Sequence, residues 1–128
     1  MSRRLLLVDD EDAIRTIACI SLERIGGWTI LAVSSGQEAL DAAQDDGPFD
    51  AILMDVMMPG LDGPDTLARM RERDEGVPAQ QQVPVVFMTA KVGAAERERL
   101  LSLGASGVIA KPFDPMTLPD ELARVLDV

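Results

Sequence analysis

The chain has 128 residues, 47% hydrophobic and 27% charged, which suits one globular domain and argues against disorder. Its 22 acidic and 12 basic residues leave a net charge of −10, which excludes nucleic-acid binding through a basic surface. Histidine is absent and Cys19 is the only cysteine, so histidine general bases, histidine metal ligands, an internal disulfide and a cysteine–zinc centre are all excluded.

Leu5-Leu6-Leu7-Val8 is a continuous apolar run stopped by Asp9 and Asp10, the signature of a strand buried on both faces. It is too short for a signal-peptide core, and no apolar stretch reaches the ~20 residues of a membrane helix, so a cytoplasmic location is expected. Glu11 to Ile25 carries Ile14, Ile17, Ala18, Leu22 and Ile25 at helical spacing, and Gly26-Gly27 closes it. Trp28 to Val33 reads as a second strand. Ser35 and Glu38 have capping-box spacing and open a second helix, which Asp46-Gly47-Pro48 stops.

Ala51 to Met54 is a third buried strand, ending at Asp55. The loop Met57 to Gly63 follows, in which Asp62 reads as a turn residue, and Pro64 suits the first turn of a helix carrying Leu67 and Met70. Glu75 to Gln82 is polar and loop-like. Pro84 to Met88 is the fourth strand, Ala94 to Leu103 a helix closed by Gly104, and Gly107 to Ala110 a short fifth strand. A last helix runs to about Leu126, with Pro119 tolerated only in its first turn. Five βα units predict an α/β fold of flavodoxin-like type, with a five-stranded parallel sheet in the order 2-1-3-4-5 between two helical layers.

Ligands in such sheets bind beyond the carboxyl ends of the strands. There the chain places Asp9-Asp10, Asp55, Thr89-Ala90 and Lys111-Pro112. Three carboxylates at close range repel unless a cation joins them. Their oxygens select Mg²⁺, with Mn²⁺ as a second choice, over Zn²⁺. A carboxylate beside Mg²⁺ and a lysine is a plausible phosphoryl acceptor, and Asp55, alone at its strand end, is the best placed. Thr89 has a hydroxyl to offer a phosphoryl oxygen. The plainer readings are helix capping for Asp9-Asp10 and a surface position for Lys111; strand-end placement of all of them together favours the site.

Four fragments in this order carry a resemblance across essentially the whole chain: Leu6-Leu7-Val8-Asp9-Asp10-Glu11, Asp55-Val56-Met57-Met58-Pro59-Gly60-Leu61-Asp62-Gly63, Met88-Thr89-Ala90-Lys91 and Lys111-Pro112-Phe113. The chain resembles the receiver domain of two-component response regulators of the chemotaxis-regulator type. The resemblance implies that Asp55 takes a phosphoryl group from a histidine kinase or a histidine phosphotransfer protein. It implies Mg²⁺ held by Asp9, Asp10, Asp55 and the backbone carbonyl of Met57. It implies a phosphoryl-binding and switch segment of Thr89, Ala90 and Lys111, and a cis Lys111-Pro112 peptide. The expected organisation is one receiver domain over 1–128 without an output domain, a monomer or weak dimer. It would signal through an unidentified downstream protein or a phosphorelay, and would contact neither nucleic acid nor membrane.

One position departs from the family pattern. An aromatic residue usually stands three before the lysine, and here it is Val108. The departure bears on the readout of phosphorylation and not on the phosphoryl chemistry. It is also the support for the alternative reading, a receiver-like binding module that phosphorylation does not switch. A Mg²⁺-dependent aspartyl phosphatase is disfavoured, because Met57 stands where such enzymes have a second acid. The bulky Met57 is expected to slow hydrolysis of a phosphorylated Asp55.

Overall fold

The computed structural model describes residues 3–91 and 93–127; Met1, Ser2, Val92 and Val128 lie outside the described residues. Strands β1 (Arg4–Val8), β2 (Thr29–Val33), β3 (Ala51–Asp55), β4 (Val85–Thr89) and β5 (Gly107–Ala110) form one parallel sheet in the order β2-β1-β3-β4-β5. Helices α1 (Asp12–Ile20), α2 (Gly36–Asp45), α3 (Gly63–Arg73), α4 (Ala94–Ser102) and α5 (Leu118–Leu126) follow the strands in turn. The strand order and the alternation match the expectation from sequence.

Side chains alternate across a pleated sheet. Leu5, Leu7, Leu53, Val86, Met88 and Ile109 therefore pack with Ala18 and Leu22 of the first helical segment and Leu118 and Leu122 of α5. Leu6, Val8, Ile52, Met54, Val85 and Phe87 pack on the other face with Leu40, Leu67, Met70 and Leu100. Each core is closed, so β3 and β4 are buried at every position. That double burial is why the central strands read as continuous apolar runs.

Local signals act as the sequence predicts at the Ser35-Glu38 box and at Pro64, and Asp62, read from sequence as a turn residue, is a helix cap. The Ser35 hydroxyl accepts from the Glu38 N–H at 3.1 Å, while the Glu38 carboxylate accepts from the Ser34 N–H at 3.0 Å. The bonds that the Ser34 N–H and hydroxyl donate hold the Glu38 carboxyl below the usual carboxylate range. Asp62 caps α3 by accepting from the Asp65 N–H at 2.8 Å, with Pro64 in the first turn.

The segment after β1 differs from the single α-helix expected over Glu11 to Ile25. It is α-helical to Ile20 and then widens into a π-helical turn, Ser21–Ile25. The Gly26 N–H reaches back to the Ser21 carbonyl at 3.3 Å, and the buried Ser21 hydroxyl donates to the Pro115 carbonyl. A contact to the segment ahead of α5 thus accompanies the widened turn. A second difference is a short 3-10 turn, Ala79–Gln81, within the expected loop before β4.

Candidate functional site

The carboxyl ends of β1, β3, β4 and β5 meet at a cleft of about 340 Å³, lined in part by Glu11, Asp55, Met57, Thr89, Ala90, Lys111 and Pro112. Asp9 is fully buried and Asp55 is 5% exposed. Lys111 Nζ lies 3.2 Å from Asp9 Oδ2, 3.2 Å from Asp55 Oδ2 and 3.5 Å from Glu11 Oε1. Three carboxylates from two strand ends and the turn between β1 and α1 thus surround one ammonium.

The backbone fixes these groups. The Asp9 N–H donates to the Val33 carbonyl of β2 and the Val56 N–H to the Met88 carbonyl of β4, extending both ladders past the strands. The Glu11 N–H donates to Asp9 Oδ1 at 2.9 Å, and the Arg15 guanidinium to the Asp9 carbonyl at 2.7 Å. The Lys111 N–H donates to the Thr89 carbonyl at 2.8 Å, so the last two strand ends are tied together. The peptide between Lys111 and Pro112 is cis. Gly63 permits the return of the loop after β3, since a Cβ there would stand 2.6 Å from the Asp55 carbonyl oxygen and 2.8 Å from the Phe87 ring.

Electrostatics follow from this enclosure. Burial pushes the Asp55 carboxyl above its ordinary pKa, and the Asp9 charge adds to the effect. Lys111 and the Met57 N–H, which donates to the Asp55 carboxylate, oppose it without cancelling it. Burial alone lowers the pKa of the Lys111 ammonium, but the charges and hydrogen bonds of Asp9 and Asp55 hold it above its ordinary value.

Oxygens of Asp9, Glu11 and Asp55 lie within 4.8 Å of one another. Asp10 is outside that group, but its Oδ1 is buried and has no hydrogen-bond partner. A buried carboxylate oxygen without a donor is costly unless a cation reaches it. The donors are all hard oxygens, so the residues present fit Mg²⁺.

Thr89 is 4% exposed, and its Oγ1 accepts from the Lys91 N–H at 3.0 Å, which leaves its O–H free to donate. Met57 stands at the rim, 73% exposed. Val108 is elsewhere: it pairs in register with Phe87 and packs, half-buried, against the core under α2, α3 and α4. Glu11 is the participant that strand-end reasoning passed over. Its signal was adjacency to Asp9-Asp10, and only the turn of the chain into α1 aims it at Lys111.

Comparison with known proteins agrees with this geometry. Residues 5–123 match the response regulator receiver domain. The chain is 33% identical over 126 residues to the alkaline phosphatase synthesis transcriptional regulatory protein PhoP of Bacillus subtilis, covering 98% of this chain and 49% of that protein. It thus spans about half the length of the curated relatives it matches. Among solved structures it resembles the chemotaxis response regulator CheY4 of Vibrio cholerae, with a TM-score of 0.86, 30% identity and coverage of 98% and 99% of the two chains. It also resembles the receiver domain of the sensor histidine kinase PA1611 from Pseudomonas aeruginosa, described with magnesium coordinated in its active-site cleft, with a TM-score of 0.81, 30% identity and full coverage of both chains. A buried aspartate pair bridged by a lysine at the carboxyl edge of a 2-1-3-4-5 sheet, and these likenesses over nearly every residue, lead to one conclusion: the chain belongs to the response regulator receiver domain family.

Proposed function

We propose that residues 1–128 act as one receiver domain, switched when Asp55 accepts a phosphoryl group. The observation that carries this reading is the Lys111 ammonium at 3.2 Å from both Asp9 and Asp55, beside an unpartnered buried oxygen of Asp10. The donor is a phosphohistidine on a histidine kinase or histidine phosphotransfer protein, which this chain cannot supply because it has no histidine. Asp55 Oδ forms a bond to phosphorus as the phosphorus–nitrogen bond breaks, and the electron pair leaves with the donor imidazole.

Asp9, Asp10, Asp55 and the Met57 carbonyl are the ligands for Mg²⁺, or Mn²⁺ in its place. Bound there, the ion supplies charge neutralisation for the phosphoryl oxygens. Lys111 ion-pairs with one of those oxygens, and the Thr89 hydroxyl donates to another at the Thr89-Ala90 turn. Phosphoryl transfer to and from its own aspartate is the only catalysis in this reading. Output is a contact with a downstream protein or onward transfer in a relay, in the cytoplasm. No helix among the described residues is long and apolar enough to cross a membrane.

The test is intact mass after incubation with acetyl phosphate and Mg²⁺. One phosphoryl group is expected on the native chain, and none on Asp55→Ala or with EDTA. Uptake that persists on Asp55→Ala would place the acceptor elsewhere.

A further inference from the structure

An ammonium offers three N–H donors. Around Lys111 the three anionic neighbours are Asp9, Asp55 and Glu11, so a phosphoryl oxygen that approaches the ammonium competes with them for its charge. Asp9 is fully buried and held by the Glu11 N–H. Asp55 is buried and is the proposed acceptor. Glu11 differs: its side chain is 61% exposed, it stands at the longest of the three distances, and it lines the cleft through which a donor enters. Its side chain makes no capping bond to α1, so its release breaks nothing in the helix.

Resting on the reading of Asp55 above, we propose that Glu11 sets donor selectivity by charge. Its carboxylate occupies the place on Lys111 that a phosphoryl oxygen takes, and it repels small, fully anionic donors at the mouth of the cleft. A donor that carries a cation next to the transferred phosphoryl group draws Glu11 aside and suffers no such penalty. The protein donor is therefore one with a basic group beside its phosphohistidine. Glu11 selects the donor, and it is not a ligand that the metal requires.

The test compares the native chain with Glu11→Gln, which keeps shape and removes charge. The probes are acetyl phosphate, a dianion at neutral pH, and phosphoramidate, a monoanion that carries an ammonium group. With the first, the phosphorus–oxygen bond breaks and acetate leaves with the electron pair; with the second, the phosphorus–nitrogen bond breaks and ammonia leaves. Glu11→Gln should speed uptake from acetyl phosphate by about three- to tenfold at low salt, the order expected for one partly screened charge. The gain should be smaller with phosphoramidate and should fade at high salt, a dependence that a purely structural role would not show. Mg²⁺ affinity by calorimetry should fall by no more than about the same three- to tenfold at low salt and recover at high salt, because the charge that repels a dianion attracts a dication equally. Equal rates for the two proteins would overturn the proposal and leave Asp55 as acceptor. A loss of Mg²⁺ affinity well beyond about tenfold that persists at high salt would also overturn it, making Glu11 a metal ligand. No uptake by either protein would fail the functional reading itself and this proposal with it.

Discussion

Asp55 is held where its charge is disfavoured, and stability should report this. Its pKa is raised in the folded chain, so the folded state binds the Asp55 proton more tightly than the unfolded state. That contribution is present below the ordinary carboxylate range and is lost as pH rises through the raised folded value. Asp55→Asn should therefore raise Tm at pH 7, and the gain should vanish as pH falls toward 4; an unchanged Tm at pH 7 would contradict the burial argument. Lys111 works the other way. It is 12% exposed and neutralises two buried carboxylates. Its raised pKa means that its stabilisation holds below the ordinary lysine value and is lost only as pH rises through the higher folded one. Lys111→Ala should cost about 3 kcal/mol at neutral pH, because Asp9 and Asp55 are left unpaired, and urea melts measure it.

The helices are unequally anchored. α2 carries a side-chain cap and buries Ala39, Leu40 and Ala42, whereas α4 buries only Leu100 and has no side-chain cap. Amide exchange in α4 should therefore be faster than in α2 or β3, and protection equal to β3 would refute this reading. Ser35→Ala should cost about 1 kcal/mol through the lost cap on α2. Val108 belongs to the same scale. It sits half-buried opposite Phe87 and packs against the core on the face that carries α2, α3 and α4, so β5 presents a small side chain there.

Across the whole molecule, the acid-rich composition meets a sheet that gathers several acids at one edge. A cation that binds only the folded chain stabilises it by about 2.7 kcal/mol at 100 times its Kd. Millimolar Mg²⁺ should thus raise Tm more than NaCl of equal ionic strength, and Asp10→Ala should remove most of the difference. Phe87, fully buried between the sheet and Gly63, ties the core to the site. Phe87→Ala should cost about 3–5 kcal/mol in denaturant unfolding.

Much of this was legible in the residues alone. Strands buried on both faces leave apolar runs, and an acid, a threonine or a lysine that stops such a run must stand at the functional edge of a parallel sheet. Asp9, Asp55, Thr89 and Lys111 were found in that way, as were the strand order and the cap at Ser35, whereas Asp62 read only as a turn residue and the structure makes it the cap of α3. Other features depend on partners far away in the chain. The π-helical turn at Ser21 carries a bond to Pro115, 94 residues on, which helical periodicity does not encode. The grouping of Glu11 with Asp9 around Lys111, 102 residues from Asp9, while an Asp10 oxygen is left without a donor, is likewise a tertiary outcome. Composition and period determine which residues reach the edge of the sheet. The direction of each side chain there is decided by how the backbone turns out of its strand, and only the packed neighbours fix that turn.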